Sequence, residues 1–331
     1  VPLFGKKSSK KPTRLFFATD LHGSEVSFRK FVNAAKFYEA EALIMGGDVA
    51  GKLLVPIVQD ANGRHRARLQ GVSHELSTEA ELADFKKKIG ILGFYHIFLS
   101  PDEYEAMKDD RAAIEREFVK AARQRLADWV QLAEERLKGT PIKCYVTGGN
   151  DDPWEVLGAL DENAREHVVG CEGKVVQLDE DHPMISLGYS NETPWHTPRE
   201  ITENELADKI EAAVRGVTDF SHVVFNFHCP PRDSTLDTCP MLDTSTDPPT
   251  VIMEAGQPVL FGAGSTAVRA AIDKYQPLLA LHGHIHESRG AIKIGRTQCL
   301  NPGSEYGEGI LHGVLVNLRE GKIEGYQFTS G

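Results

Sequence analysis

The stretch Leu281-His282-Gly283-His284-Ile285-His286 closes the apolar run 277–281, and its reading decides the fold. In extended backbone, residues i and i+2 point to the same side, so His284 and His286 can face one point. Gly283 lets the chain turn tightly just before them. A lone His-x-His at a strand end is ordinarily a pair of surface residues. The pattern becomes a metal-ligand platform only if other predicted strands end in matching residue types, and they do.

Working outward, the spacing predicts a first strand over 14–19 that ends on Asp20-Leu21-His22-Gly23, with the same i, i+2 relation. Ser24 is placed to cap a helix to about 39, whose apolar residues Val26, Phe28, Phe31, Val32, Ala35 and Tyr38 recur at helical steps. The short apolar run 42–45 then reads as a buried parallel strand ending on Gly46-Gly47-Asp48. Strand, helix and strand in that order make a βαβ unit. A third strand over 142–146 delivers Gly148-Gly149-Asn150-Asp151-Asp152, and a strand over 222–227 delivers His228.

Between the second and third strands the sequence predicts a hairpin, 53–59 and 64–69, around Asn62-Gly63. The run Arg64-His65-Arg66-Ala67-Arg68 reads as its solvated face. Residues 74–138 read as a helical insertion, a lid over the site or plain packing, stopped by Gly139 and Pro141. Later strands are expected at 174–178, 184–189, 313–318 and 322–328, and helices at 202–215 and 265–275. His196 and Arg199 lie in or beside the polar loop 190–198. Residues 230–260, rich in Pro, Thr and Asp, read as one long irregular loop of functional or mobile character. Residues 1–13 are expected to form a flexible basic tail, and 14–331 a single domain.

Composition narrows the function. With 331 residues, 41% of them hydrophobic, the chain can bury a substantial core. A net charge of -11 disfavours a broad nucleic-acid or anionic-membrane surface. Five scattered cysteines without a Cys-x-x-Cys pair fit a reducing, cytoplasmic setting and argue against a disulfide framework or a thiolate zinc site. No apolar run is long enough to span a bilayer.

Collected, the strand ends supply Asp20, His22, Asp48, Asn150, His228, His284 and His286. In α/β sheets, ligands bind at the carboxyl ends of strands. Seven oxygen and nitrogen ligands are too many for one tetrahedral ion, so two ions are expected, with the Asp48 carboxylate as their natural bridge. The donor set suits Mn, Fe, Zn, Ni or Co without choosing among them.

The series Asp20-x-His22, Gly47-Asp48, Gly149-Asn150, His228 and Gly283-His284-x-His286 resembles the calcineurin-like metallophosphoesterase superfamily over about residues 14–318. The tail Gly-His-Ile-His-Glu, with Asn301-Pro302-Gly303-Ser304 after it, is similar to its bacterial and archaeal phosphodiesterase-type branch. The resemblance implies an α/β fold of two mixed β-sheets packed as a sandwich and flanked by helices. It implies Asp20, His22 and His286 on one ion, Asn150, His228 and His284 on the other, and Asp48 with a hydroxide between them. Catalysis is expected to rest on Asp48, Asn150 and Asp151.

One departure stands out. The family pattern has His after the Asn, thought to protonate the leaving group or hold the phosphate, where this chain has Asp151. Two adjacent cations should keep Asp151 ionised, a poor proton donor, which leaves the general acid open. Two dications, two carboxylates and one hydroxide sum to about +1, so the pocket should attract a small phosphate ester even in an acidic protein. A dinuclear phosphodiesterase is therefore the expectation. The alternatives are a phosphomonoesterase or a non-catalytic metal-binding scaffold of the same fold. A Ser/Thr protein phosphatase is disfavoured because Val49-Ala50-Gly51 follows Asp48, and a nuclease by charge. Asp152 and Glu287 read as surface acids or as carboxylates orienting the His ligands.

Overall fold

The computed structural model describes residues 11–246 and 248–331. The tail expected over 1–13 falls on residues 1–10, outside the described residues, and at its end Thr13 already opens a strand. Two six-stranded mixed sheets form the centre. In the first, Thr13–Ala18, Ala42–Met45, Lys143–Val146 and Val168–Gly170 run parallel, and the hairpin His312–Arg319/Lys322–Ser330 adds an antiparallel edge. In the second, Pro183–Leu187, Val224–Phe227, Leu279–Leu281 and Thr297–Asn301 run parallel, with Val175–Gln177 and Gly290–Ile294 antiparallel at its edges.

Side-chain alternation along these strands builds the layers. Leu15, Phe17, Ala42 and Ile44 turn inward and meet Val224, Leu279, Leu281 and Leu300 of the other sheet. Phe16, Ala18, Leu43 and Met45 turn outward, under the helices Glu25–Phe37, Arg111–Leu137 and Trp154–Asn163. The second sheet is covered in the same way by Glu203–Ala213 and Thr266–Tyr275. Strands buried on both faces need apolar residues at every position, which is why 42–45 carries no polar alternation. The helices start where capping chemistry allows: the Ser24 and Ser265 hydroxyls accept from Ser27 and Val268 N–H, and Thr202 with Glu205 forms a capping box.

Two expectations need correction, and one helix was not foreseen. The segment 74–138 is not all helical. Val72–Leu76 and Tyr95–Leu99 join the hairpin Leu54–Gln59/His65–Leu69 in a separate four-stranded sheet, and the helices are Glu79–Ile91, Pro101–Met107 and Arg111–Leu137. The run around Phe94–Leu99 is largely apolar, and a short strand of that kind has no clear period to tell it from a helix. Residues 230–260 are not a structureless loop, because short antiparallel ladders pair Thr238–Pro240 with Leu260–Gly262, Leu242–Asp243 with Thr250–Val251, and Met253–Glu254 with Gln257–Pro258. The helix Trp154–Asn163 had no start signal: Pro153 is its N-cap and makes no side-chain cap bond.

Candidate metal centre

Ala18, Met45, Val146, Phe227 and Leu281 are the last residues of five strands that run parallel within their two sheets, and the predicted ligands occupy the loops that follow. The first two loops run side by side: Asp20, His22 and Gly23 donate their N–H to the carbonyls of Gly47, Asp48 and Val49. Gly283 N–H donates to His228 O and joins the last two in the same way.

Local backbone is forced to an unusual conformation here. Asp20 (φ 55°), His22 (φ 42°), Asp48 (φ 50°) and His284 (φ 67°) all occupy the left-handed region, which non-glycine residues rarely adopt. Each such residue costs on the order of 1–3 kcal/mol, and strain of this kind collects at functional sites.

The glycine before each of three ligands has a separate reason. A Cβ on Gly47 would stand 2.5 Å from His228 Nδ1, one on Gly149 2.0 Å from Asp48 Oδ1, and one on Gly283 2.3 Å from Asp20 Oδ2. Each glycine vacates the space that a ligand from another strand fills. The Gly-ligand pairs are therefore a packing requirement of the convergence itself.

The donor atoms converge. His22 Nε2 and His286 Nε2 are 3.2 Å apart, with Asp20 Oδ1 3.3 Å from the latter. On the other side, Asn150 Oδ1 is 3.1 Å from His228 Nε2 and 2.7 Å from His284 Nδ1. Asp48 Oδ2 lies between the groups, 3.6 Å from His22 Nε2 and 3.4 Å from His228 Nε2. Asp20, His22, Asp48 and His228 are almost wholly buried. All seven predicted ligands are thus brought together, and Asp20 Oδ1 also lies 3.9 Å from His228 Nε2, so the two groups adjoin.

Surrounding contacts fix which atom His228 and Asn150 offer. His228 Nδ1 is held by Gly46 O at 3.0 Å, which leaves Nε2 to face the site. Asn150 Nδ2 donates to Thr197 Oγ1 at 2.9 Å, and Thr197 Oγ1 donates to Glu200 Oε1 at 2.8 Å, so the Asn150 carbonyl oxygen points inward. Asn301 Nδ2 reaches Gly283 O and Ile285 O, and Ser304 Oγ donates to Asp20 O, so the Asn301–Ser304 turn holds the His284–His286 loop against the first strand. His282 is a brace: its Nδ1 lies 2.8 Å from Phe227 O and 3.2 Å from Cys229 O, on either side of His228.

Electrostatics show what the cluster is suited to bind. Burial opposes ionisation of Asp20 and Asp48, but His228 and its neighbours hold both carboxyls below their usual range. Burial also works against the His228 proton, yet Asp48 and Asp20 raise its pKa to about 10. Burial drives His22 down to about 3 and His284 to about 4, so both offer lone pairs. Against its burial, Asp20 also raises the pKa of His286, so two buried carboxylates hold protons on neighbouring histidines beside the neutral His22 and His284, a donor set that fits divalent cations.

Asp151 and Asp152 separate. Asp152 is no surface acid: it is fully buried and accepts from Val49, Ala50 and Gly149 N–H, tying the second and third loops rather than orienting a His. Burial and Asp48 push its carboxyl up to about 7. Asp151 is ion-paired with Lys52 (Oδ2 to Nζ 2.9 Å), with the same oxygen 3.7 Å from His22 Nδ1. Burial first, then Asp48, pushes it up to about 6, against the pull of Lys52. Glu287 is exposed, as a surface acid should be. His196 is also exposed, and Thr197, not His196, touches Asn150.

Lys52, Thr197, Glu200, His282 and Tyr306, whose ring lies 4.6 Å from that of His22, were not foreseen. Only the polar loop around 197 carried a signal.

No family model matches the sequence. An uncharacterised protein of Methanocaldococcus jannaschii is 29% identical over 156 residues, 46% of this chain; the match spans about three-fifths (61%) of that relative's length. Among solved structures, one superposes over 97% of this chain and 98% of its own at TM-score 0.57 and 15% identity. The protein TT1561 of Thermus thermophilus does so over 97% and 98% at TM-score 0.51 and 14% identity. A dimetal phosphatase of Danio rerio is matched over 97% and 99% at TM-score 0.46 and 7% identity. The chain thus shares its fold with TT1561, and its two packed mixed sheets are those that the resemblance to the calcineurin-like metallophosphoesterases implies. In that fold the Asp and His residues at the strand ends form a buried cluster suited to divalent metal. Among the described residues, no helix is long and apolar enough to cross a membrane.

Proposed function

We propose that this protein is a dinuclear metal-dependent phosphoesterase that hydrolyses a small phosphodiester. The observation that carries the reading is the position of Asp48 Oδ2, between His22 Nε2 at 3.6 Å and His228 Nε2 at 3.4 Å, where one carboxylate can serve two ions. Asp20, His22 and His286 would hold one ion, Asn150, His228 and His284 the other, and Asp48 both. When bound, such a pair lowers the pKa of a water and polarises the phosphoryl oxygens.

The protein's own part is to fix geometry and charge. Asp48 Oδ1 accepts Asp151 N–H at 3.0 Å, which leaves Oδ2 for the shared position. Thr197 keeps the Asn150 amide from flipping its NH₂ toward the donors. Asp151 faces Lys52 instead of offering a free acid, so the leaving group departs with little protonation. Five free cysteines, four of them buried, support a reducing, cytoplasmic setting.

The test is a screen of protein reconstituted with Mn, Fe, Zn, Ni or Co against phosphodiesters, phosphomonoesters and cyclic nucleotides, with metal analysis. Two ions per chain and diester hydrolysis are expected. One ion or none in active protein would sink the reading, and hydrolysis of monoesters alone would make it a phosphomonoesterase.

A further inference from the structure

The side chain that the site description leaves without a task is Lys52. It is the fourth residue after Asp48, on a loop whose backbone is pinned at each step between them. Val49 and Ala50 N–H donate to Asp152, and Gly51 N–H donates to Tyr95 Oη at 2.6 Å. Gly51 is wedged so tightly against Gly93 that a Cβ there would stand 1.9 Å from Gly93 O. The Lys52 side chain therefore leaves from a fixed point beside the centre.

Its ammonium lies 2.9 Å from Asp151 Oδ2, and that oxygen is 3.7 Å from His22 Nδ1. The Lys52 side chain keeps 44% of its surface exposed, against 16% for Asp151. The charge thus sits at the boundary of the cluster, held from the inner side and open on the outer side. An ammonium has three donors, and Asp151 occupies one.

We propose that Lys52 binds a phosphate oxygen of the substrate at the mouth of the metal centre, aimed by Asp151. This rests on the phosphoesterase reading. It gives the Asp151 departure a physical sense: where the resembled pattern carries a His after the Asn, this chain carries an acid that aims a lysine from another loop. The competing account is charge compensation, with Lys52 present only to neutralise a half-buried Asp151.

The experiment measures inorganic phosphate binding by calorimetry on metal-reconstituted protein, for the parent, Lys52→Met, Lys52→Arg and Lys52→Met/Asp151→Asn. Metal content and thermal unfolding are measured in parallel. Loss of a charge-assisted contact should weaken phosphate binding by about tenfold to a hundredfold in Lys52→Met, with metal content unchanged. Lys52→Arg should regain most of the affinity, and the double variant should stay as weak as Lys52→Met. Parent-like affinity in Lys52→Met overturns the proposal. So does recovery in the double variant, which would mean that Lys52 only balances Asp151. A parent that neither binds phosphate nor hydrolyses any ester would instead fail the phosphoesterase reading itself.

Discussion

Replacing Gly149 by alanine tests whether the Gly-ligand pairs exist for packing. The added Cβ would lie 2.0 Å from Asp48 Oδ1 and 2.4 Å from Asp48 N, where ordinary contacts begin at 3.4 Å. The backbone cannot yield easily, because Gly149 N–H is bonded to Asp152 and the neighbouring Asn150 carbonyl to Arg199 N–H. The carboxylate must therefore retreat by more than ~1 Å, whereas a working metal site tolerates about 0.2 Å. Overpacking of this kind costs about 1–3 kcal/mol. Metal-free Gly149→Ala should accordingly melt a few degrees below the parent. The larger effect is on metal: at a hundredfold excess over the dissociation constant, a bound ion adds about 2.7 kcal/mol to the folded state, and the variant should lose that gain. The assay is thermal unfolding with chelator and with added Mn or Zn, alongside metal analysis, with Gly325→Ala as a control because nothing lies within 4 Å of its Cβ. If Gly149→Ala loads metal and gains stability like the parent, the packing account of the glycines is wrong.

Other expectations can be checked separately. Asp48→Asn keeps the shape and removes the bridging charge, so metal content should fall and hydrolysis vanish while the circular dichroism spectrum is kept. Thr197→Val frees the Asn150 amide and should weaken metal affinity by about tenfold to a hundredfold in chelator competition, with Thr197→Ser restoring it; equal affinity in both variants would refute the positioning role. In the metal-free protein, burial disfavours the His228 proton but Asp48 and Asp20 raise its pKa from 6.5 to about 10. The stability it contributes is fully present below 6.5 and is lost as pH rises through about 10. The metal-loaded form, which needs His228 neutral, should lack that loss between pH 7 and 10, and metal binding near neutral pH should release a proton visible in the buffer dependence of the heat. Finally, the rate on aryl phosphodiesters should depend steeply on leaving-group acidity, since a positioned acid is worth about a hundredfold to ten-thousandfold. A shallow slope that steepens in His196→Ala would show that the exposed His196 supplies the proton.

The seven clustered side chains were legible because each sits in a loop just after a short strand, and a strand end is a local signal. The apolar runs 42–45 and 277–281 mark buried strands, and a glycine with a polar residue after them marks where the chain leaves the sheet. The sandwich was not legible in the same way. Nothing along the sequence says that Phe17 faces the second sheet while Phe16 faces a helix; the resemblance supplied the architecture, and the two core clusters then follow from the alternation. The four-stranded sheet was missed because Tyr95–Leu99 pairs in parallel with Leu54–Gln59, a contact across a helix and two strands that no window of sequence contains.

Residues that hold the ligands in place were missed for a related reason. Thr197 reaches Asn150 across 47 positions and Ser304 reaches Asp20 across 284, so each becomes meaningful only after the loops are folded against one another. Gly47, Gly149 and Gly283 form the middle case. Their identity is visible in the sequence, and a tight turn explains Gly47, whose φ is 121°. Gly149 and Gly283 have no positive φ, so backbone freedom cannot be their reason. Alanine would satisfy their backbone, and it is the side chains of Asp48 at Gly149, and of Thr19 and Asp20 at Gly283, that forbid it. The two glycines thus record a convergence of distant strands in a local pattern, which is how a centre built from five loops leaves a trace in one dimension.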